Sequence, residues 1–287
     1  MGSHAFRIVN VFTQGESPLT GNPLCVFENG ADFDDDTMQA LALQFNLSET
    51  TFILPSETAD ARVRIFTPTY EMPFAGHPTL GTAHVCRALG LGANSLRLEL
   101  RVGLVPVDAH GNRWTLTAPT PTSRELGVPV AELARILGLD EGDIGDRPLW
   151  VKAGTEQLIV PLNSPDAVRR TAPRCEAMAA ITSQDGFGMV YVFTETGAGR
   201  TSAGSSTVAR FFFSQGTAMI EDPATGSATA NFGGWCLAMQ QPLPLRYEIS
   251  QGEMTGRPST LYLEVASDRH IRVSGDVVDL GCGTVTL

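Results

Sequence analysis

The stretch GHPTLGTAHVCRALG (residues 76–90) returns in altered form as GSATANFGGWCLAMQ at residues 226–240. Cys86 and Cys236 keep the same spacing of 150 residues. Three blocks that recur in the same order indicate an internal duplication, and the sequence therefore predicts two similar domains. The other two blocks are RIFTP (64–68) with FFFSQ (211–215), and LELRVGLVPVDAHGNRWTLTA (98–118) with YEISQGEMTGRPSTLYLEVA (247–266).

The composition favours a folded protein that binds neither nucleic acid nor an anionic membrane. The chain has 287 residues, and 43% of them are hydrophobic, which suffices for two packed cores. The formal net charge is −11, whereas phosphate binding needs clustered Lys and Arg. A small anionic substrate remains compatible with this charge where a site is locally positive.

The cysteines and histidines predict neither disulfides nor a metal site. Five cysteines without a C-x-x-C pair are typical of a reducing cytoplasm, where we expect the protein to reside. The histidines at 77, 84, 110 and 270 have no ligand-like spacing. The start, MGSHAF, lacks the features of a signal peptide, and its first four residues resemble an expression tag.

The pattern along the chain predicts an α+β protein. Helical spacing of apolar residues predicts helices at 34–46 and 130–139, and β-branched and aromatic residues predict several short strands. The stretch TAPTPTSREL (117–126) is a candidate linker because it is rich in Pro, Thr and Ser. The predicted domains are residues 5–121 and 122–275, with 276–287 as a candidate addition to the first.

In both repeats a strand ends, a glycine turn follows and a helix begins, as FAGHPTLGTA (74–83) and EDPATGSATA (221–230). A helix N-terminus offers unpaired backbone N–H groups and a partial positive charge. Glycine lets a ligand approach the backbone closely. Each repeat is therefore predicted to bind a small anionic group such as a carboxylate. If a pseudo-twofold axis relates the domains, the two helix ends would face each other across a cleft.

Three ionisable residues are candidates for chemistry at these turns, and each also has an ordinary structural interpretation. His77 could be a turn residue that the backbone satisfies, and Asp222 a simple helix cap. Glu49 follows a predicted helix and would ordinarily be solvated. Thr225 and Ser227 are common turn and cap residues. The symmetric placement of the two turns favours a functional role, without deciding it.

Several motifs together resemble the PhzF family of phenazine biosynthesis. The motifs are GNPLCVF, NLSETTF, IFTP, MPFAGHPTLGTA, EDPATGSA and SQGEMTGRPS, which extend in family order over residues 21–258. The resemblance implies the diaminopimelate-epimerase-like fold. In that fold two similar, pseudo-symmetric α+β domains each wrap a β-sheet or open barrel around a central helix, with the active site between them.

The resemblance also implies a reaction and its residues. The type enzyme isomerises trans-2,3-dihydro-3-hydroxyanthranilate by moving a hydrogen within the ring, without a cofactor or metal, and a homodimer is expected. The NLSE, GHP and DPATGS motifs place the acid/base glutamate at Glu49, the histidine at His77 and the aspartate at Asp222. The residues implied to bind the substrate are Ser48, Gly76, Thr225, Gly226 and Ser227.

Alternative functions are a racemase or epimerase, a binding protein and a serine hydrolase. A two-cysteine racemase would place a thiol at each helix start, but the windows 71–78 and 220–228 contain no cysteine. Cys86 and Cys236 lie about ten residues into the helices and are expected in the core. A hydrolase is disfavoured because TGSAT lacks the G-x-S-x-G pattern. A racemase that uses other groups, or a non-catalytic binding protein, remains open.

Overall fold

The computed structural model describes residues 2–197 and 204–287. The chain divides into two compact units, one of residues up to Thr117 together with Ser274–Leu287, the other of Ala118–Val273. The first division lies four residues before the boundary at 121/122 that the sequence suggested. None of the helices in the described ranges is long and apolar enough to cross a membrane.

Most of the order of elements in the first unit is repeated in the second. The first unit contains β1 (Ser3–Val11), β2 (Asn22–Phe27), α1 (Asp35–Phe45), β3 (Glu49–Leu54), β4 (Ala61–Phe66), β5 (Glu71–Met72), α2 (Gly76–Ala88), β6 (Ser95–Leu100), β7 (Gly103–His110) and β8 (Arg113–Thr117). The second contains β9 (Thr122–Glu125), α3 (Val130–Leu137), a 3₁₀ turn (Glu141–Asp143), β10 (Leu149–Lys152), β11 (Glu156–Pro161), α4 (Pro165–Arg170), α5 (Cys175–Met178), β12 (Met189–Glu195), β13 (Ser205–Gln215), β14 (Ala218–Asp222), α6 (Gly226–Ala238), β15 (Leu245–Gln251), a 3₁₀ turn (Glu253–Thr255) and β16 (Ser259–Val265). The run from β1 to β7 in the first unit is repeated from β10 to β16 in the second, which also contains β9 and α3 before this run and further short helical segments. The last strand, β17 (Ile271–Thr286), passes from the second unit into the first.

The first unit is a closed barrel of eight strands around α2. The strands pair in the order β17–β1–β2–β3–β4–β6–β7–β8, and β8 pairs with β17 to close the ring. The pairs β2–β3 and β4–β6 are parallel, and β5 pairs with β4 as a short addition. Every residue of α2 from Gly76 to Cys86 is buried, as expected of a helix enclosed by a barrel.

The second unit repeats this strand order around α6. Its strands pair in the order β9–β10–β11–β12–β13–β15–β16, again with two parallel pairs, β11–β12 and β13–β15. The helix α6 contacts β10, β11 and β16, and an added Cβ at Gly234 would lie 2.7 Å from Val151 Cγ1 and 2.8 Å from Pro121 Cβ. The predicted α+β fold, with a central helix in each of two similar domains, is confirmed.

Outside the first barrel, α1 covers an aromatic cluster. Its Met38 and Leu41 pack with Phe27, Phe52 and Phe66, and the Phe27 and Phe52 rings stack at 4.9 Å. The Asp34 side chain accepts a 2.8 Å hydrogen bond from the Thr37 backbone N–H and so caps the helix at its N-terminus. The helices predicted at 34–46 and 130–139 are confirmed as α1 and α3.

A matching ion pair fixes the register of the repeat. In the first unit Arg64 bonds Glu71 at 2.8 Å and lies over the Phe66 ring. In the second unit the same three contacts join Arg210, Glu221 and Phe212. Arg64 therefore corresponds to Arg210, a shift of 146 residues. The match of RIFTP with FFFSQ was wrong by one residue, because three consecutive phenylalanines hide the register.

The linker predicted at 117–126 is wrong in its second half. Residues Thr122–Glu125 form β9, which pairs with β10. Arg124 donates two 2.9 Å hydrogen bonds to the Glu156 carboxylate and lies over the Trp150 ring. This anchor on the buried Glu156 carboxylate holds a polar segment in the sheet, and composition alone could not reveal it.

The Arg124–Glu156 pair should make the stability depend on pH. The Arg124 hydrogen bond, and next the backbone N–H of Gln184, hold the pKa of Glu156 below its ordinary value of 4.5, against the opposing effect of burial. This stabilisation is therefore present above about pH 4.5 and is lost as the pH falls through the lower folded pKa. We expect Glu156→Gln to lower the free energy of unfolding by about 2 kcal/mol at pH 7, and by much less in acid.

Chemical denaturation of wild type and variant at several pH values tests this expectation. Glu125→Gln is a matched control because it removes the exposed Glu125–Arg147 pair, which should contribute under about 1 kcal/mol. A wild-type advantage that stays constant from pH 7 to pH 3 would contradict the assigned role of Glu156.

Candidate functional site

The two glycine turns of the sequence have the same local structure. Residues 71–80 and 221–230 each run from a strand through a bend into the first residues of the central helix. The N-cap residues, Ala75 and Thr225, have extended backbone, and neither makes a side-chain capping bond. Gly76 and Gly226 are the first residues of α2 and α6 and are buried. Neither helix has an acidic residue in its first turn to offset the partial positive charge.

In the first unit the helix start lies against a carboxylate. Glu49 is the first residue of β3, and its side chain is 16% exposed. His77 is the second residue of α2 and is 5% exposed. The His77 Nδ1 and Glu49 Oε2 atoms are 2.9 Å apart. The ordinary interpretations, a backbone-satisfied histidine and a solvated glutamate, are therefore wrong. Ser48 is exposed beside them.

The second ring nitrogen of His77 is buried and unpartnered. Within residues 2–197 and 204–287, no group hydrogen-bonds to its Nε2. An unsatisfied buried polar atom costs about 1–3 kcal/mol, and such groups in folded proteins are usually met by a ligand or water. The position therefore suits a polar atom of a bound molecule.

The Glu49–His77 hydrogen bond couples two protonation states. When Glu49 is ionised it accepts from Nδ1–H, and a neutral ring then presents an acceptor at Nε2. When Glu49 is protonated it can donate to Nδ1, and Nε2 then carries the hydrogen. The second arrangement holds one proton more than the first, so the pair can take up a proton and return it, as general acid/base chemistry requires. Tyr70 is nearby, since burial and then the charge of Glu49 raise the pKa of its hydroxyl.

In the second unit three side chains form a chain of hydrogen bonds. Asp222 ends β14, Thr225 caps α6 and Gln251 ends β15. Gln251 Oε1 accepts a 3.3 Å hydrogen bond from the Thr225 backbone N–H. Gln251 Nε2 therefore donates, to Thr225 Oγ1 at 3.0 Å and to the Asp222 backbone carbonyl at 2.9 Å. Thr225 Oγ1 in turn donates to Asp222 Oδ2. Asp222 is therefore a hydrogen-bonded carboxylate and not the cap of α6.

Ser227, the second residue of α6, is also hydrogen-bonded to a side chain. Gln157 of β11 donates from Nε2 to Ser227 Oγ at 3.0 Å, and Asn231 of α6 donates to Gln157 Oε1 at 2.7 Å. Sequence reasoning missed Gln157, Gln251 and Asn231. The only signal for Gln157 was a polar residue inside an apolar strand, and Gln251 lay unnoticed within SQGEMTGRPS.

Strand register shows how the two repeats differ at these positions. Phe66 and Phe212 are equivalent in the two repeats. Thr50 pairs with Phe66 and Val190 pairs with Phe212, so Thr50 corresponds to Val190. The preceding residues, Glu49 and Met189, therefore also correspond. His77 likewise corresponds to Ser227. Conversely, the first unit has Met72, Ala75 and Leu100 where the second has Asp222, Thr225 and Gln251. The first unit therefore carries the hydrogen-bonded Glu49–His77 pair, and the second carries the Asp222–Thr225–Gln251 chain and the Ser227 hydroxyl.

A model of the family described as phenazine biosynthesis-like protein matches residues 9–282. The chain belongs to the PhzF family. A PhzF family protein from Bacillus anthracis superimposes over the whole of both chains with a TM-score of 0.87 at 24% identity. A hydroxyproline epimerase from Agrobacterium vitis shares the fold, with a TM-score of 0.63 at 14% identity over 99% of this chain and 93% of that one.

Curated relatives of this PhzF family member are named as isomerases. An uncharacterized isomerase of Pasteurella multocida is 35% identical over 98% of this chain and 93% of its own length. The trans-2,3-dihydro-3-hydroxyanthranilate isomerase of Pseudomonas aeruginosa is also 35% identical, over 95% of this chain and 96% of its own. This PhzF family member is accordingly an isomerase.

The thiols of this PhzF family member are unsuited to a two-cysteine mechanism. Cys86 and Cys236 are fully buried inside their helices. Burial raises the pKa of each thiol to about 12, so both are protonated near neutral pH. Their predicted core position is confirmed, and the ionisable pair at a helix start is Glu49 with His77.

Proposed function

We propose that the protein isomerises trans-2,3-dihydro-3-hydroxyanthranilate, or a closely similar small carboxylate, by proton transfer without a cofactor. One observation carries the proposal: a Glu49 carboxylate bonded to a histidine whose other nitrogen is buried and unpartnered. The names of the Pseudomonas relatives, at 35% identity and less, support the substrate class.

The substrate contains an acidified C–H bond. Its ring carbons C2 and C3 are saturated, and the C3–H is conjugated through two double bonds with the carboxylate on C1. Removing this proton yields an anion that is delocalised from C3 to C1 and into the carboxylate. Adding a proton at C1 gives an isomer of the same formula, with an enol at C3 that converts to a ketone. Atoms and electrons balance, and no oxidant is needed.

Glu49 is proposed to carry out both transfers. Its ionised carboxylate takes the proton from C3, and the same group returns it to C1 on the same ring face. The bond to His77 keeps the carboxylate in place while its charge changes. His77 Nε2 is proposed to bond the substrate hydroxyl or amine, and Ser48 and Gly76 to contact the substrate beside them.

The groups of the second unit are proposed to bind the polar substituents. The backbone N–H groups at Gly226 and the Ser227 hydroxyl suit the carboxylate, toward which negative charge moves during the reaction. Asp222, held by Thr225, suits the substrate amine. The carboxylate site agrees with the first turn of α6, which contains no acidic residue.

The test is NMR of the purified protein with trans-2,3-dihydro-3-hydroxyanthranilate in H₂O and in D₂O. We expect conversion to an isomer, with protium retained at C1 in D₂O to the extent that Glu49 does not exchange with solvent. Absence of conversion by the folded protein would reject this substrate. Solvent deuterium alone at C1 in the earliest product would reject transfer by a single sheltered carboxyl group.

A further inference from the structure

Two amide side chains are buried in the second unit at positions where the first unit has residues without a polar side chain. Asn231 on α6 is 0% exposed and Gln157 on β11 is 2% exposed. The helix position of Asn231 is Gly81 in the first unit. Cys25 pairs with Thr50 in the first unit, and Leu158 pairs with the equivalent Val190 in the second. The preceding residues, Leu24 and Gln157, therefore occupy the same position. Because the first unit builds the same helix and strand with glycine and leucine at these two positions, the fold itself does not require amides there.

The backbone fixes the orientation of both amides. Asn231 Oδ1 accepts a 2.7 Å hydrogen bond from the Ala153 backbone N–H, so Nδ2 must donate. It donates to the Thr155 carbonyl at 2.9 Å and to Gln157 Oε1 at 2.7 Å. Gln157 therefore turns its Nε2 toward Ser227 Oγ, 3.0 Å away. Reversing either amide would place two donors or two acceptors against each other.

This order leaves the Ser227 hydroxyl hydrogen available to a ligand. Its oxygen accepts from Gln157, so its hydrogen must be donated in another direction. Over the described part of the chain, Gln157 is the only hydrogen-bond partner that the Ser227 side chain has. The half-buried hydroxyl thus presents a hydrogen at the start of α6, beside backbone N–H groups that are also donors.

We propose that Gln157 and Asn231 are positioning residues that hold the Ser227 hydroxyl as a donor toward the substrate carboxylate. The inference rests on the proposed function and adds a specificity to it. A group that offers acceptors, such as a carboxylate, is favoured here, because it meets both the Ser227 hydrogen and the neighbouring backbone N–H groups. The fixed hydrogen bond strengthens as charge moves onto the carboxylate, so it contributes to kcat as well as to binding.

The test is a double-mutant cycle between Gln157 and Ser227. In Gln157→Glu, the new carboxylate accepts from Asn231 and draws the Ser227 hydrogen toward itself. We expect kcat/KM for trans-2,3-dihydro-3-hydroxyanthranilate to fall about 10- to 100-fold, with a decrease in kcat. In the Ser227→Ala background the same change should have no further effect. Full additivity would overturn the proposal, because a direct effect of charge or packing would persist without the hydroxyl.

A second variant and a measurement without substrate distinguish failure of this proposal from failure of the proposed function. Gln157→Leu installs the residue of the first unit, so it should fold, and it should also lose its effect in the Ser227→Ala background. Neutron diffraction of the deuterated wild-type protein should place the Ser227 hydroxyl deuterium away from Gln157. A deuterium directed at Gln157 would overturn the proposal whatever the substrate. A wild-type protein that fails to turn over the substrate would reject only the proposed function, and the neutron result would still decide the arrangement.

Discussion

Glu49→Gln should lower kcat for isomerisation by about 1,000-fold while leaving the fold intact, because an amide cannot take a proton from carbon. The glutamine keeps the shape of the side chain and can still bond His77 Nδ1, so KM should change little. Initial rates with the dihydro acid, measured by NMR or ultraviolet absorbance, give kcat directly. A kcat within threefold of wild type would contradict the assignment of Glu49 as the acid/base group.

Glu71→Gln is the matched control for this experiment. Glu71 lies in the same unit, and its side chain is 15% exposed, nearly the same as that of Glu49. The Arg64 hydrogen bond holds the pKa of Glu71 below its ordinary range, so Glu71 stays ionised and is unsuited to carrying a proton. This variant should lose stability but keep kcat per folded molecule, measured beside a thermal unfolding curve.

Most of the fold could be predicted because the duplication leaves visible marks at the central helices. Glycine, threonine and cysteine recur at a shift of 150 residues where a buried helix meets the barrel wall. The register of β4 and β13 was less accessible, since any of the phenylalanines at 211–213 can align with the first repeat. The Arg–Glu pair that fixes this register links strands, and only the folded hairpins bring it together. β9 was missed because its pairing depends on an anchor in a different strand.

The candidate site could be predicted as a set of residues, but its hydrogen bonds could not. Glu49 and His77 are 28 residues apart, and their contact depends on β3 lying beside the start of α2. Gln157, Gln251 and Asn231 lie within strands and a helix whose patterns otherwise indicate core. Their importance follows from comparing the two units at equivalent positions, a comparison that requires the correct register. The roles of all these residues in catalysis and binding stay predictions until variants are measured.

His77 substitutions should separate the two functions of its ring. Asparagine places an amide near the position of Nδ1 and can keep the bond to Glu49, whereas glutamine reaches the position of Nε2. We expect His77→Asn to raise KM and to lower kcat, because the group that bonds the substrate is absent. His77→Gln should bind substrate more nearly as wild type does but lose kcat, because Glu49 loses its partner. Each kcat should fall about 100-fold, measured by initial rates with both variants folded.

His84→Asn is the control for a histidine on the same helix. His84 is similarly buried at 7%, and its ring bonds Asp279 at 3.1 Å and accepts from Trp114 at 3.3 Å, away from Glu49. Losing these bonds should lower the unfolding temperature and leave kcat per folded molecule unchanged. If both His77 variants matched this control, the ring would serve packing alone. If only His77→Gln lost kcat, the bond to Glu49 would matter and Nε2 would not bind substrate. Loss of kcat in both, with a raised KM in His77→Asn alone, is the result that the proposed roles of Nδ1 and Nε2 require.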